Sequence, residues 1–98
     1  MEALLRCQVS RGMFSREVAV RGKTAYGTEF SLFVSEDFVE ADLSAAADEA
    51  VGGWLRVEVL AREGALTLVR LPGQTFENGQ TVTVRDSEVE IRPRREAV

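Results

Sequence analysis

Three observations predict a small all-β barrel of six to seven short antiparallel strands with one short helix. Apolar and polar residues alternate in short runs, and glycine, proline or asparagine interrupts them roughly every eight to twelve residues. Only one stretch, 36–51, carries apolar residues at helical spacing. Several strands are apolar on both faces, and at this size a sheet that curls over itself covers such strands more easily than two flat layers do.

The stretch from Trp54 to Leu71 organises the rest. It reads as two strands joined at Arg62-Glu63-Gly64, a three-residue hairpin loop with glycine where a positive φ is needed. Pairing Ala61 with Ala65 sets Val59 opposite Thr67, Val57 opposite Val69 and Leu55 opposite Leu71, so one face is apolar apart from a threonine. A slip by one residue would put Arg70 opposite Val57 and spoil that face. Leu55, Val57, Val59, Val69 and Leu71 are therefore the expected core. The other face mixes Arg56, Glu58 and Arg70 with Trp54, Leu60, Leu66 and Leu68, and these four apolar residues form the expected partner-binding face.

In chain order, Ala3 to Val9 alternates with Ala3, Leu5, Cys7 and Val9 on one side, a strand. Ser10 to Ser15 breaks the pattern at Gly12 and leaves Met13 and Phe14 in a loop, where the expectation is that both tuck under the barrel end; the alternative is an exposed anchor for a partner. Glu17 to Arg21 and Thr28 to Ser35 are the next strands, separated by Gly22 and Gly27, which predict a turn and a tight bend. The candidate helix runs from Ser44 to Val51 and is stopped by Gly52-Gly53. Pro72-Gly73 ends the second strand of the central hairpin. Asn78-Gly79 predicts a type I′ hairpin, since both central residues of that turn need positive φ. A last hairpin at Asp86-Ser87 would pair Arg85 with Glu88, Val84 with Val89, Thr83 with Glu90 and Val82 with Ile91. Residues 1–92 thus read as one SH3-like or OB-like barrel domain, and residues 93–98 as a frayed tail.

The 98 residues suffice for a single core, burying roughly two thirds of the unfolded chain's surface. Hydrophobic content of 45% and charged content of 29% are ordinary for a globular domain. No apolar run suits a membrane span, the first residues do not read as an export signal, and one cysteine forms no internal disulfide, so the expected compartment is cytoplasmic. The net charge of -4 opposes general polyanion binding. Its distribution is uneven: residues 1–23 carry five bases and two acids, whereas residues 24–55 carry seven acids and no base.

Motifs for chemistry are scarce. Gly22-Lys23-Thr24 lacks the upstream glycine of a P-loop, since position 17 is Glu, and strand rather than helix follows it. The absence of histidine removes the usual general base and the commonest metal ligand. Cys7 lies on an apolar face and reads as a small hydrophobe. Glu36, Asp37, Glu40 and Asp42 do not have EF-hand spacing and read as a solvated face. Neither an enzyme, a cofactor nor a metal is expected. The sequence favours a non-catalytic protein-interaction or regulatory module with a protein partner. The runner-up is a nucleic-acid-binding barrel drawing on the N-terminal bases Arg6, Arg11, Arg16, Arg21 and Lys23, with Arg11, Arg16 and Lys23 as the anion contacts.

Overall fold

The computed structural model describes residues 1–44, 49–77 and 79–91. Eight strands form in the order β1 (Glu2–Arg11), β2 (Glu17–Lys23), β3 (Glu29–Ser35), β4 (Val39–Glu40), β5 (Val51–Glu63), β6 (Leu66–Arg70), β7 (Thr81–Arg85) and β8 (Val89–Ile91). Two 3₁₀ turns, Glu36–Phe38 and Asp86–Glu88, lead into β4 and β8. The main sheet runs β3-β2-β1-β5-β6-β7 and curls into a half-barrel, with β4 added to β5 and β8 added to β1. The expected all-β class with a curled sheet is what this chain adopts.

Alternation decides which side faces inward. Along β1, Ala3, Leu5, Cys7 and Val9 are buried while Arg6 and Gln8 are exposed, and they pack with Val20, Leu32, Leu55, Val69 and Val84 from the strands around the curl. Leu4 is an exception, 3% exposed on the opposite side from this cluster. In the central hairpin Leu55, Val57, Val69 and Leu71 are buried as expected, whereas Val59 is half-buried.

The registers contain an internal symmetry. Each half of the chain passes through a long strand, two shorter strands, a 3₁₀ turn and a very short strand, and that last strand returns to the long strand of the other half. Leu5 lies opposite both Leu55 and Val89, and Leu55 lies opposite both Leu5 and Val39. The counterparts Leu5 and Leu55, like Val39 and Val89, are 50 positions apart, so a pseudo-twofold axis is centred on the Leu5–Leu55 pair. The 3₁₀ turns obey it as well. Glu36 N–H donates to the Arg16 carbonyl at 2.8 Å, and Asp86 N–H donates to the Ala65 carbonyl at 2.7 Å.

Several local expectations are corrected. The β5–β6 turn is Gly64-Ala65, with Gly64 at φ 59°, and Glu63 pairs with Leu66. A bulge between Val59 and Ala61 then shifts the register, so that Val59 meets Val69 instead of Thr67; the shift is even, and the apolar face keeps its direction. Of the helix expected over Ser44–Val51, residues 45–48 lie outside the described residues, residues 49 and 50 are not helical, and Val51 opens β5. Gly52 and Gly53 pair within β5 rather than ending a helix, because a Cβ on Gly53 would stand 2.7 Å from Ala41 Cβ and 2.9 Å from the Glu40 carbonyl where β4 crosses. Asn78 also lies outside the described residues. Gly79 has the positive φ of 66°, but Phe76 and Glu77 form no strand with β7; they turn onto the edge of β3. Nor do Val89 to Ile91 fold back on β7. No glycine at Asp86-Ser87 supplies the positive φ of a tight hairpin, and a 3₁₀ turn carries them to β1 instead. The tail from residue 92 onward lies outside the described residues.

Candidate functional site

The pseudo-twofold frame leaves a fork on each long strand. Along one edge of β1, Ala3 to Leu5 pair with β8 while Gln8 to Arg11 pair with β2, so Arg6 and Cys7 stand where the two neighbours diverge. A cleft of about 490 Å³ opens there, lined by Arg6, Gln8, Arg21, Lys23, Arg85 and Glu88, with Cys7 and the residues Gly22, Thr24 and Gly27 completing it. The β2–β3 turn closes one side. Gly27, at φ 84°, donates to the Thr24 carbonyl at 3.1 Å, and Ala25 N–H donates to the Thr83 carbonyl of β7 at 2.9 Å. Along β5, Leu55 and Trp54 pair with β4 while Glu58 to Glu63 pair with β6, and Arg56 and Val57 mark the second fork. Its cleft, about 400 Å³, is lined by Glu2, Phe38, Arg56, Glu58, Arg70 and Gln80 among others.

Arg6 in the first fork is held from both sides. The Arg6 guanidinium sits 4.9 Å from the ring centroid of Trp54, its cross-strand neighbour on β5, and its Nε lies 3.4 Å from Glu88 Oε2. Gly22 is obligatory in the β2 wall, because a Cβ there would stand 2.4 Å from the Phe30 ring. Cys7 lies behind these groups, 4% exposed, and burial pushes its thiol up to about 12. It is a neutral wall residue at physiological pH rather than a thiolate.

The predicted partner face divides. The bulge at Leu60 sets Leu60 and Ala61 opposite Leu68, and Leu66 follows on the same side, so these three leucines come together; Leu60 is 39% and Leu66 37% exposed. Trp54 is not with them. It lies six residues back along β5, about 20 Å of extended chain, half-buried beneath Arg6. The predicted anion contacts divide too. Arg11 and Arg16 meet near Glu17 and Glu36, where Arg16 is engaged by Glu36 at 3.4 Å and Asp37 at 3.1 Å. Lys23 stands at the other end of β2, in the first fork. The sequence grouped Arg6 and Arg21 with Lys23 among the N-terminal bases, and the structure brings those three together. Arg85, which the sequence folded into a local hairpin, was not expected beside them.

Both edge strands of the main sheet are each bonded from a loop at one residue, Ser31 on β3 and Thr83 on β7. On β3, Ser31 N–H donates to Glu77 Oε1 at 2.7 Å and its carbonyl accepts from Phe76 N–H at 2.9 Å, with the Phe76 ring edge-on to Phe33. β7 receives Ala25 at Thr83. The loop between β1 and β2 contradicts the expected tucking of its apolar pair. Met13 is 79% and Phe14 71% exposed, on a turn fixed by Gly12 N–H to the Glu17 carbonyl, Glu17 N–H to the Phe14 carbonyl and Met13 N–H to Glu17 Oε1. These three bonds fix the turn, and its apolar side chains project from it into solvent. No helix among the described residues is long and apolar enough to cross a membrane. Comparison of this chain with models of known families, with curated proteins and with solved structures finds no match.

Proposed function

We propose that this domain is a non-catalytic interaction module whose partner is a protein, docked through side chains at the β1–β2 turn. The observation that carries this reading is the pair Met13 and Phe14, more than two thirds exposed on a hydrogen-bonded turn. Burying two such side chains in a complex is worth roughly 3 to 6 kcal/mol before the costs of association. The backbone is already ordered, so little of that gain is spent on fixing the loop. Strand addition is the less favoured mode, because Phe76 and Glu77 already bond the middle of β3 at Ser31 and Ala25 that of β7 at Thr83. Leu60, Leu66 and Leu68, on the hairpin beyond the opposite end of the β1–β5 pairing, form a second and shallower contact.

The test is quantitative affinity capture with the intact chain and a Met13→Ser/Phe14→Ser variant, followed by titration of the purified partner. The reading predicts a protein retained by the parent chain, lost with the variant and bound directly in titration, while both chains melt at the same temperature. Capture that does not change in the variant contradicts it.

A further inference from the structure

The two forks are an internal control for one another. The pseudo-twofold relation that makes Arg6 the counterpart of Arg56 also makes Arg21 the counterpart of Arg70, so backbone geometry alone leaves a cleft on each long strand. Their charges differ. In the second cleft Arg56 and Arg70 face Glu2 and Glu58, and Arg70 is bonded to Glu58 at 3.1 Å. In the first, Arg6, Arg21, Lys23 and Arg85 face Glu88 alone, and Glu88 is engaged by Arg6. Lys23 and Arg85 make no ion pair among the described residues, and Arg21 lies near Glu77 without bonding it. Three cations that make no ion pair among the described residues therefore line one concavity of a chain whose net charge is -4, although Glu77 lies near Arg21 and Glu29 stands opposite Lys23 on β3. Like charges held together in a cleft repel, and an anion entering between them relieves that repulsion.

We infer that the fork between β1, β2 and β7 is a binding site for a phosphorylated small molecule. Its volume falls within the roughly 300–1,000 Å³ of small-molecule sites. Guanidinium forks from two strands, with Lys23 as a point charge, suit the several oxygens of a diphosphate better than a single carboxylate. Arg6, held by Trp54 and Glu88, forms one wall. A long polyanion is the poorer fit. It would extend past the cleft toward the acid-rich stretch 24–55, where no base offsets seven acids.

Calorimetric titration of the intact chain with pyrophosphate and with ADP tests the site, with Lys23→Gln/Arg85→Gln as the disabling variant and Arg70→Gln as the control in the other cleft. Binding tighter than about 1 mM is expected for the parent chain and for Arg70→Gln, with at least about a tenfold loss in the double variant. Thermal melts of all three chains check folding, and the exposed, unpaired positions of Lys23 and Arg85 predict an unchanged melt for the double variant. Absence of binding by either probe, or equal weakening by Arg70→Gln, overturns the inference. So does a single-stranded RNA oligonucleotide that binds more tightly than ADP and is released by the same double variant, because the fork would then be part of a nucleic-acid surface.

Discussion

Asp86 shows how one side chain ties the second half of the fold together. Its carboxylate accepts from Arg62 at 2.7 Å and from the buried Thr67 hydroxyl at 3.1 Å, while its N–H caps the β5–β6 turn through Ala65. The bonds from Arg62 and Thr67 hold the Asp86 carboxyl below the 3.8 of an unperturbed aspartate. A depressed carboxylate contributes stability that is fully present above its unfolded value and is lost as the pH falls through the folded one. Asp86→Asn should therefore be less stable than the parent at neutral pH, and the gap should narrow below pH 3.8. Denaturant melts between neutrality and pH 3 read this directly, and a gap that stays constant would remove Asp86 from the account. Glu77, lowered by its bonds from the Ser31 hydroxyl and N–H, gives the parent chain a second slope of the same sign. Residue identity was readable in the sequence wherever alternation alone decided it, as at Cys7. It was not readable at Met13 and Phe14, where apolar character suggested burial but the turn, held by bonds between Glu17 and Gly12, Met13 and Phe14, leaves both side chains exposed.

The long strands carry the core, and Leu5 and Leu55 sit at their crossing point, 1% and 0% exposed. Because each is opposite the other and also opposite a valine of a short strand, Leu5→Ala and Leu55→Ala should cost similar amounts, about 2 to 5 kcal/mol each through lost burial and an unfilled cavity. Leu60→Ala, on the outer bulge, should cost less than about 0.5 kcal/mol. Chemical denaturation compares the three, and a Leu60 variant as unstable as the Leu55 variant would mean the faces are inverted. Element existence was mostly legible from period-two patterning: the strands expected at Ala3 to Val9, Glu17 to Arg21, Thr28 to Ser35 and in the central hairpin all form, while the strand expected at Phe76-Glu77 does not. Connections were less legible. A turn signal such as Gly64 does not say whether two or three residues make the loop, and the bulge at Leu60 leaves no compositional mark. The Asp86-Ser87 segment satisfied cross-strand pairing by residue type, yet β8 pairs with β1 and sets half-buried Val89 and Ile91 against the core.

At the scale of the whole molecule, the pseudo-twofold arrangement explains why one small sheet carries two clefts, and their charge sets them apart. That symmetry had a faint trace in the sequence: Val34-Ser35-Glu36-Asp37-Phe38-Val39-Glu40 and Val84-Arg85-Asp86-Ser87-Glu88-Val89-Glu90 stand 50 positions apart and share the valines, an acid and the final glutamate. Residue-by-residue patterning misses such a trace, because the repeat is in topology and register more than in identity. The uneven charge was legible as a count over residues 1–23, but the count could not say that Arg11 and Arg16 would be drawn to Glu17 and Glu36 while Arg6, Arg21 and Lys23 met Arg85. The most direct test of this division is an amide NMR titration of the intact chain with pyrophosphate. The amides of Arg6, Gly22, Thr24 and Gly27 should shift in saturable fashion while those of their counterparts around Arg56, Leu71 and Gln80 stay in place. Equal shifts at both forks, or none at the first, would contradict it.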